Sequence, residues 1–177
     1  MRAWFSIHIE YARMHIRPTT EADWTALKAV RLAALLDAPA AFGVTHSTAA
    51  AYTEAQWRQR AAAGGTAFWL AFDGEGEAAG MIGGAVDAQG QYNLIGMWVR
   101  HDQRGAGMAQ RLVDAVKAHA MTGGHRRVVL DVAPENARAA RFYLNQGFVF
   151  LDAWEALESH PDIRVQKMEW RAHTLPG

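Results

Sequence analysis

Apolar positions near the start of the chain predict a short strand followed by a helix. The strand covers residues 15–17 and ends at Pro18. A capping-box variant that runs from Thr20 to Asp23 opens the helix, with Asp in the place where Glu is more usual. The apolar residues of this helix fall roughly on one face, and they are Trp24, Leu27, Val30, Leu35 and Leu36.

A strand meander is predicted in the middle of the chain. After a break at residues 37–43, a second helix is expected over residues 53–63, capped by Thr53. Short apolar runs separated by turn residues then predict three successive strands, at residues 66–72, 79–86 and 92–99.

The second half of the chain alternates helices and strands. Apolar residues at steps of four predict a helix over residues 108–120. The remaining elements are a valine-rich strand at 127–132, a short helix at 137–146 stopped by Gly147, and antiparallel strands at 148–154 and 163–170. The order indicates a mixed α/β fold, with residues 14–177 forming a single domain and residues 1–13 an N-terminal extension.

Composition narrows the classes of protein that this chain can be. Its 18 basic and 18 acidic residues cancel, so no charge footprint predicts binding to nucleic acid or to an anionic membrane. The absence of cysteine excludes disulfides, thiolate zinc sites and a cysteine-acyl intermediate. Without a secretory signal or a spanning apolar run, we expect a cytoplasmic protein. The eight histidines are scattered, and no metal site is predicted.

The turn between the third strand of the meander and the helix at Met108 is rich in residues with no side chain or a small one. Gly105 and Gly107 lie in this turn, with Arg104 before them and Ala109 behind. Because a helix start leaves main-chain N–H groups unpaired at a positive dipole end, such a turn can bind phosphate. Two glycines can also simply make a tight turn. A Walker loop is excluded because no Gly-Lys-Ser/Thr follows, and a missing third glycine disfavours a Rossmann fingerprint.

A second group of residues lies about one helix and one strand further on. Asn136 stands at a helix start, with Ala139 and Tyr143 at spacings of three and four, and therefore on one helix face. Gly147 and Phe148 follow at the helix exit. An isolated tyrosine at such a position would more often be a packing residue.

Taken together, the two motifs resemble those of the GCN5-related N-acetyltransferase (GNAT) family. The phosphate loop Arg/Gln-x-x-Gly-x-Gly/Ala is matched by Arg104, Gly107 and Ala109, and the later motif by the residues from Asn136 to Phe148. The resemblance covers nearly all of the chain after residue 13. It implies a twisted, mostly antiparallel sheet of about six to seven strands with about four flanking helices and a splayed parallel pair.

The resemblance implies acetyl-CoA as cosubstrate. Its pyrophosphate would lie on the backbone of Arg104, Gly105, Ala106, Gly107, Met108 and Ala109, and its pantetheine arm along Met97, Trp98 and Val99. Asn136, Ala139 and Tyr143 complete the expected binding residues. A bulge at Gly96 would aim the Met97 N–H at the thioester oxygen, and Tyr143 would protonate the leaving sulfur.

The general base and the acceptor are less well defined. Many relatives have Glu where this chain has Asn93, which leaves Asp131 on the neighbouring strand, a water chain or an already neutral amine. The acceptor would be an amine of a small molecule or peptide, and the C-terminal strands could mediate a homodimer. Four large aromatic residues could line the pocket for the acceptor or belong to the core, namely Phe42, Trp57, Trp69 and Trp98.

Basic residues near the motifs have both functional and ordinary interpretations. Arg100 and His101 could touch the 3′-phosphate, although a solvated pair is the simpler interpretation. His119, Arg126 and Arg127 form a cluster near a helix end, best explained as surface. Two further classes of function stay open, namely a catalytically silent acyl-CoA-binding or regulatory module and a nucleotide-binding α/β domain.

Overall fold

The computed structural model describes residues 14–173 and contains one seven-stranded sheet. Its strands are β1 (His15–Pro18), β2 (Ala67–Phe72), β3 (Ala78–Val86), β4 (Tyr92–Val99), β5 (Arg127–Val132), β6 (Val149–Leu157) and β7 (His160–Arg171). The order across the sheet is β1-β2-β3-β4-β5-β7-β6. The predicted extension, residues 1–13, lies outside the described residues, so its separation from the domain stays a prediction.

Within the described residues, five α-helices cover the two faces of the sheet. They are α1 (Trp24–Asp37), α2 (His46–Ala50), α3 (Glu54–Ala61), α4 (Met108–Thr122) and α5 (Ala137–Asn145), with short 3₁₀ turns at Glu21–Asp23, Pro39–Ala41 and His101–Gln103. No helix within residues 14–173 is both long and apolar enough to cross a membrane.

Alternation along the strands divides the buried side chains into two cores. In β2, Trp69 and Ala71 belong to the core under α4 and α5, whereas Leu70 and Phe72 belong to the core under α1, α2 and α3. Successive strand residues point to opposite faces, so a strand covered on both faces is apolar throughout. The sheet therefore separates an α4/α5 layer from an α1–α3 layer.

One pair of neighbouring strands is parallel, and it opens part way along its length. Strands β4 and β5 pair only at Tyr92 with Val128 and at Asn93 with Val129, although both strands continue beyond these residues. All the other neighbouring pairs are antiparallel. The mixed α/β fold and its splayed parallel pair are confirmed.

Strand β4 carries a bulge at the edge of this opening. Met81 of β3 pairs with Trp98, but Gly83, two residues on, pairs with Ile95, so β4 has one extra residue. Gly96 lies in the bulge with φ +62°, a conformation that suits a residue without Cβ. The bulge predicted at Gly96 is therefore present.

Local capping explains several element boundaries. The Thr53 side chain accepts a hydrogen bond from the Gln56 N–H, and Gln56 accepts one from the Thr53 N–H in return. The Asn136 side chain caps α5 through the Ala139 N–H. Gly147 follows α5 with φ +85°, as a helix-ending glycine commonly does.

Two features of the fold were not predicted. The five-residue helix α2 shows no apolar period, and its start is fixed by the Thr45 side chain, which accepts from the Thr48 N–H. The last hairpin is also longer than expected. Pro161 lies inside β7, beyond the part of that strand that pairs with β5, so no ladder hydrogen bond to β5 is lost there.

Candidate active site

A cleft and a cavity meet where β4 and β5 separate. The cleft, of about 570 Å³, follows the end of β4 and the glycine turn. The cavity, of about 740 Å³, lies between β4, β5, the hairpin β6–β7 and the segment after α1. The cleft and the cavity share five of their lining residues, namely Ala41, Phe42, Met97, Asn136 and Ala139. A ligand in the cleft can therefore reach the cavity.

The glycine turn presents open backbone to the cleft. Gly105 and Gly107 have φ of +85° and +83°, and a Cβ built on either would meet nothing within 4 Å. Gly107 is the N-cap of α4 and offers no side-chain cap to the helix N–H groups. Because these donors lie at the positive end of a 15-residue helix, the turn suits an anion such as phosphate.

The other predicted turn residues differ in what they expose. Ala109 lines the cleft, and Ala106 is exposed in the loop. The Met108 side chain is fully buried in the core under α4, so only its main chain is available to a ligand.

Arg104 is fixed by two partners on neighbouring elements. Its Nη2 lies 2.7 Å from Oδ2 of Asp37, the last residue of α1, and its Nε donates to the Val99 carbonyl at 2.8 Å. The Trp98 indole donates to the same Asp37 oxygen at 2.9 Å. The hydrogen bond from Trp98, followed by the one from Arg104, holds the pKa of Asp37 below its usual value. The charge of Arg104 is therefore partly balanced, and α1 is tied to the phosphate turn.

Met97 lies at the junction of the cleft and the cavity. It follows the Gly96 bulge and is half-buried, and it lines both spaces. The Trp98 and Val99 side chains are buried on opposite faces of the sheet, in the α1–α3 and α4/α5 cores respectively. Val99 thus offers only its main chain to the cleft.

Tyr143 lies at the inner end of the cavity, on the face of α5 that also carries Ala139 and Asn136. It is buried, and its ring packs edge-on against Phe148 with centroids 5.6 Å apart. Burial raises the pKa of Tyr143 above its usual value, so the phenol keeps its proton at neutral pH. A protonated hydroxyl beside a reacting group can act as a general acid.

A pair of carboxylates also lines the cavity. Asp131 on β5 forms an ion pair with Lys167 at 2.9 Å, and Glu155 on β6 lies beside Asp131. The negative charge of Asp131, followed by desolvation, raises the pKa of Glu155 above its usual value. Asn93 is held through its amide by Asp87 and by the Gln91 carbonyl.

The aromatic residues considered for an acceptor pocket divide into two groups. Phe42 lines the cavity and the cleft, and Trp98 lines the cleft. Trp57 and Trp69 belong to the two cores and line neither space. Several lining residues could not be predicted from the sequence because they belong to no motif, among them Arg31 on α1 and Glu155 on β6.

The basic residues outside the motifs are held in structural contacts. Arg100 forms ion pairs with Asp73 at 2.7 Å and Asp102 at 2.6 Å. His119 is hydrogen-bonded to the Tyr92 hydroxyl at 2.7 Å. Arg127 forms an ion pair with Glu169, and Arg126 donates to the His173 carbonyl.

Comparison with known proteins identifies the class to which this fold and site belong. The family described as the acetyltransferase (GNAT) family matches residues 31–148. This match covers more than half of the chain and includes the glycine turn and α5. The chain therefore belongs to the GNAT acetyltransferase family. No curated protein matches its sequence.

Solved structures of the same fold agree with this assignment at low sequence identity. An acetyltransferase of the GNAT family from Streptococcus pneumoniae has a TM-score of 0.74 at 20% identity, covering 91% of this chain and 100% of that one. A protein assigned as an acetyltransferase from Salmonella typhimurium was solved with acetyl-CoA. It has a TM-score of 0.69 at 18% identity, covering 93% of this chain and 98% of that one. Nourseothricin acetyltransferase has a TM-score of 0.56 at 18% identity, and the match covers 61% of this chain. This chain spans 66% of that protein's length.

Proposed function

We propose that this protein is an acetyl-CoA-dependent N-acetyltransferase that acetylates a primary amine by direct attack in a ternary complex. The observation that carries the proposal is the junction at Met97, where the phosphate-type cleft opens into a second cavity large enough for a small acceptor. Membership of the GNAT family and a relative of the same fold solved with acetyl-CoA support it.

The residues of the cleft suit coenzyme A on three grounds. The turn from Arg104 to Ala109 offers main-chain donors to a pyrophosphate without obstruction at Gly105 or Gly107. The separation of β4 from β5 leaves the main chain from Met97 to Val99 without a strand partner on that side. A pantetheine arm can add there as an extra strand does. The side chain at Ala139 is small enough to leave the cleft open.

Acetyl-CoA would supply the acetyl group as a thioester whose carbonyl carbon the acceptor amine attacks. The Met97 N–H stabilises the negative charge that develops on the carbonyl oxygen, as a fixed donor in an oxyanion hole does. The Tyr143 phenol gives its proton to the departing sulfur. The nitrogen gains a bond to carbon and loses a proton, and the carbon–sulfur bond breaks.

The proton leaves the acceptor through the carboxylate pair. An alkyl amine has a pKa of about 10 and is charged at neutral pH, so it must lose a proton before it can attack. Glu155, whose pKa is raised by Asp131, is a better base than an ordinary surface carboxylate. Lys167 forms an ion pair with Asp131 at 2.9 Å, and its Nζ lies 4.0 Å from the Glu155 carboxylate.

A thiol-release assay with acetyl-CoA and a panel of amines tests the proposal, alongside calorimetry with acetyl-CoA, CoA, NAD and ATP. We expect CoA and acetyl-CoA to bind and at least one amine to accelerate thiol release. Binding of acetyl-CoA without turnover on any amine would instead support the silent acyl-CoA-binding module. Binding of NAD or ATP without CoA would support a nucleotide-binding domain.

A further inference from the structure

Arg31 places a positive charge in the wall of the cavity, and no hydrogen bond or ion pair within residues 14–173 balances it. It lies on α1, and among residues 14–173 no group accepts a hydrogen bond from its buried Nη1. Its guanidinium stacks on an aromatic face, since its Cζ lies 4.8 Å from the centre of the Phe42 ring. None of the ion pairs found between residues 14 and 173 includes it.

A half-buried guanidinium whose Nη1 is buried and unpaired is costly, because the desolvation of that atom is not offset by a hydrogen bond. Burial, together with the positive charge of Arg60, lowers the pKa of Arg31 to about 10. The side chain therefore still carries its charge at neutral pH. A site of this kind is stabilised when a ligand brings the missing anion.

The position of Arg31 limits where on the acceptor this anion can be. Nη1 lies 3.2 Å from the place that a Cβ on Gly96 would occupy, so the guanidinium packs against the bulge. Gly96 directly precedes Met97, the residue proposed to hold the carbonyl oxygen during attack. An anion on Arg31 must therefore be attached close to the attacking amine.

We propose that Arg31 binds the carboxylate of the acceptor and that the acceptor is a free α-amino acid or a close analogue with an acidic group next to the amine. This inference rests on the proposed N-acetyltransferase function. The planar guanidinium fits a carboxylate through two parallel hydrogen bonds. Asp131 and Glu155, which line the same cavity, receive the amino end. A polyamine lacks the anion, and a peptide N-terminus carries an amide in its place.

The test is a binding experiment with matched ligands that does not depend on turnover. The common L-amino acids and their carboxamides are titrated by calorimetry into the protein saturated with CoA, using the wild type, Arg31→Met, Arg31→Lys and Arg60→Met. Arg60 is a suitable control because its charge faces Arg31, its guanidinium also stacks on an aromatic ring, and it does not line the cavity.

We expect at least one amino acid to bind the wild type more tightly than its carboxamide. Arg31→Met should weaken this binding about 10- to 100-fold and leave the carboxamide unchanged, as loss of a hydrogen bond to a charged group predicts. Arg31→Lys should restore part of the preference, and Arg60→Met should keep it. Unchanged CoA affinity in the Arg31 variants confirms that the fold is intact.

Other outcomes separate this inference from the function on which it rests. Equal binding of acids and carboxamides by the wild type, or an equal loss of both in Arg31→Met, overturns the carboxylate site. If other amines still accelerate thiol release in that case, the N-acetyltransferase function stands. Failure of the wild type to bind CoA at all overturns both.

Discussion

Single side chains in the site differ in chemistry because their surroundings differ. Tyr143 is buried among apolar rings, which favours its neutral form and keeps a proton available. Glu155 lies next to another carboxylate, which favours the form that has taken up a proton. Burial and neighbouring charge thus prepare one acid and one base on two walls of the same cavity.

Replacing Tyr143 with Phe should lower kcat about 100-fold while the affinity for acetyl-CoA changes little, because the ring packing is kept and only the proton donor is lost. Steady-state thiol release and calorimetry measure the two quantities. Tyr92→Phe is the matched control, since Tyr92 is also buried but bonds to His119 and lines neither the cleft nor the cavity. A kcat equal to that of the wild type would remove Tyr143 from the chemistry.

The raised pKa of Glu155 predicts how kcat/KM depends on pH on the acid side. A base works only when deprotonated, so kcat/KM should fall as the pH drops through the raised pKa of Glu155. Glu155→Gln should lower kcat/KM about 100-fold at neutral pH and abolish this acid limb. Rate profiles of both proteins measure the effect, with Glu158→Gln, another cavity-lining carboxylate, as control. An acid limb unchanged in Glu155→Gln would assign it to another group.

At the scale of elements, local signals gave most of the fold. The capping box at Thr53, the glycine after α5 and the apolar runs of β2 to β5 each act within a few residues, so a sequence reveals them. Helix α2 depends on one threonine cap, and the extra length of the last hairpin depends on pairing between β6 and β7 next to their turn. Neither segment carries the apolar period from which the other elements were predicted.

The glycine turn makes a prediction that separates backbone strain from ligand binding. Gly107→Ala should destabilise the protein by about 1–2 kcal/mol because its φ is positive. It should also weaken CoA binding, because the new Cβ occupies space beside the helix N-terminus. Gly90→Ala is the control, since Gly90 has φ +78°, equally open surroundings and a place in the β3–β4 turn. Equal CoA affinity in both variants would contradict a phosphate site at this turn.

At the scale of the whole molecule, the sheet gathers distant residues into one site. Arg31 comes from α1, Asp131 from β5 and Glu155 from β6, and they line one cavity only because the sheet order places β5 and β7 between β4 and β6. The motifs that bind one ligand are contiguous and could be predicted from sequence. The residues that face a second ligand are scattered along the chain, and no local pattern connects them.

Asp73 predicts how global stability depends on pH. Its buried carboxylate accepts hydrogen bonds from Arg100 first, and also from the Glu77 and Glu75 N–H groups, and these lower its pKa. This stabilisation is full above the ordinary carboxyl pKa of about 4 and is lost as the pH falls through the lower folded value.

Urea unfolding should therefore show that Asp73→Asn costs about 2–3 kcal/mol at pH 7 and less below about pH 4. Asp87→Asn is the matched control, because Asp87 accepts two N–H bonds in a similar turn but is more exposed and bonds no arginine. A loss no larger in Asp73→Asn than in this control would exclude the arginine pair as a major contributor.

The single extra residue in β4 has a consequence for the rest of that strand. Before it, the even-numbered Tyr92 and Leu94 point toward α4, whereas after it Trp98 points toward α1 and the odd-numbered Val99 toward α4. If β4 kept all its residues but paired regularly from Tyr92 onward, without the bulge, these two side chains would exchange between the two layers. The indole would then leave Asp37, and the anchor of Arg104 would be lost with it. The extra residue thus determines which of the two helix layers each later side chain of β4 faces, up to the phosphate turn.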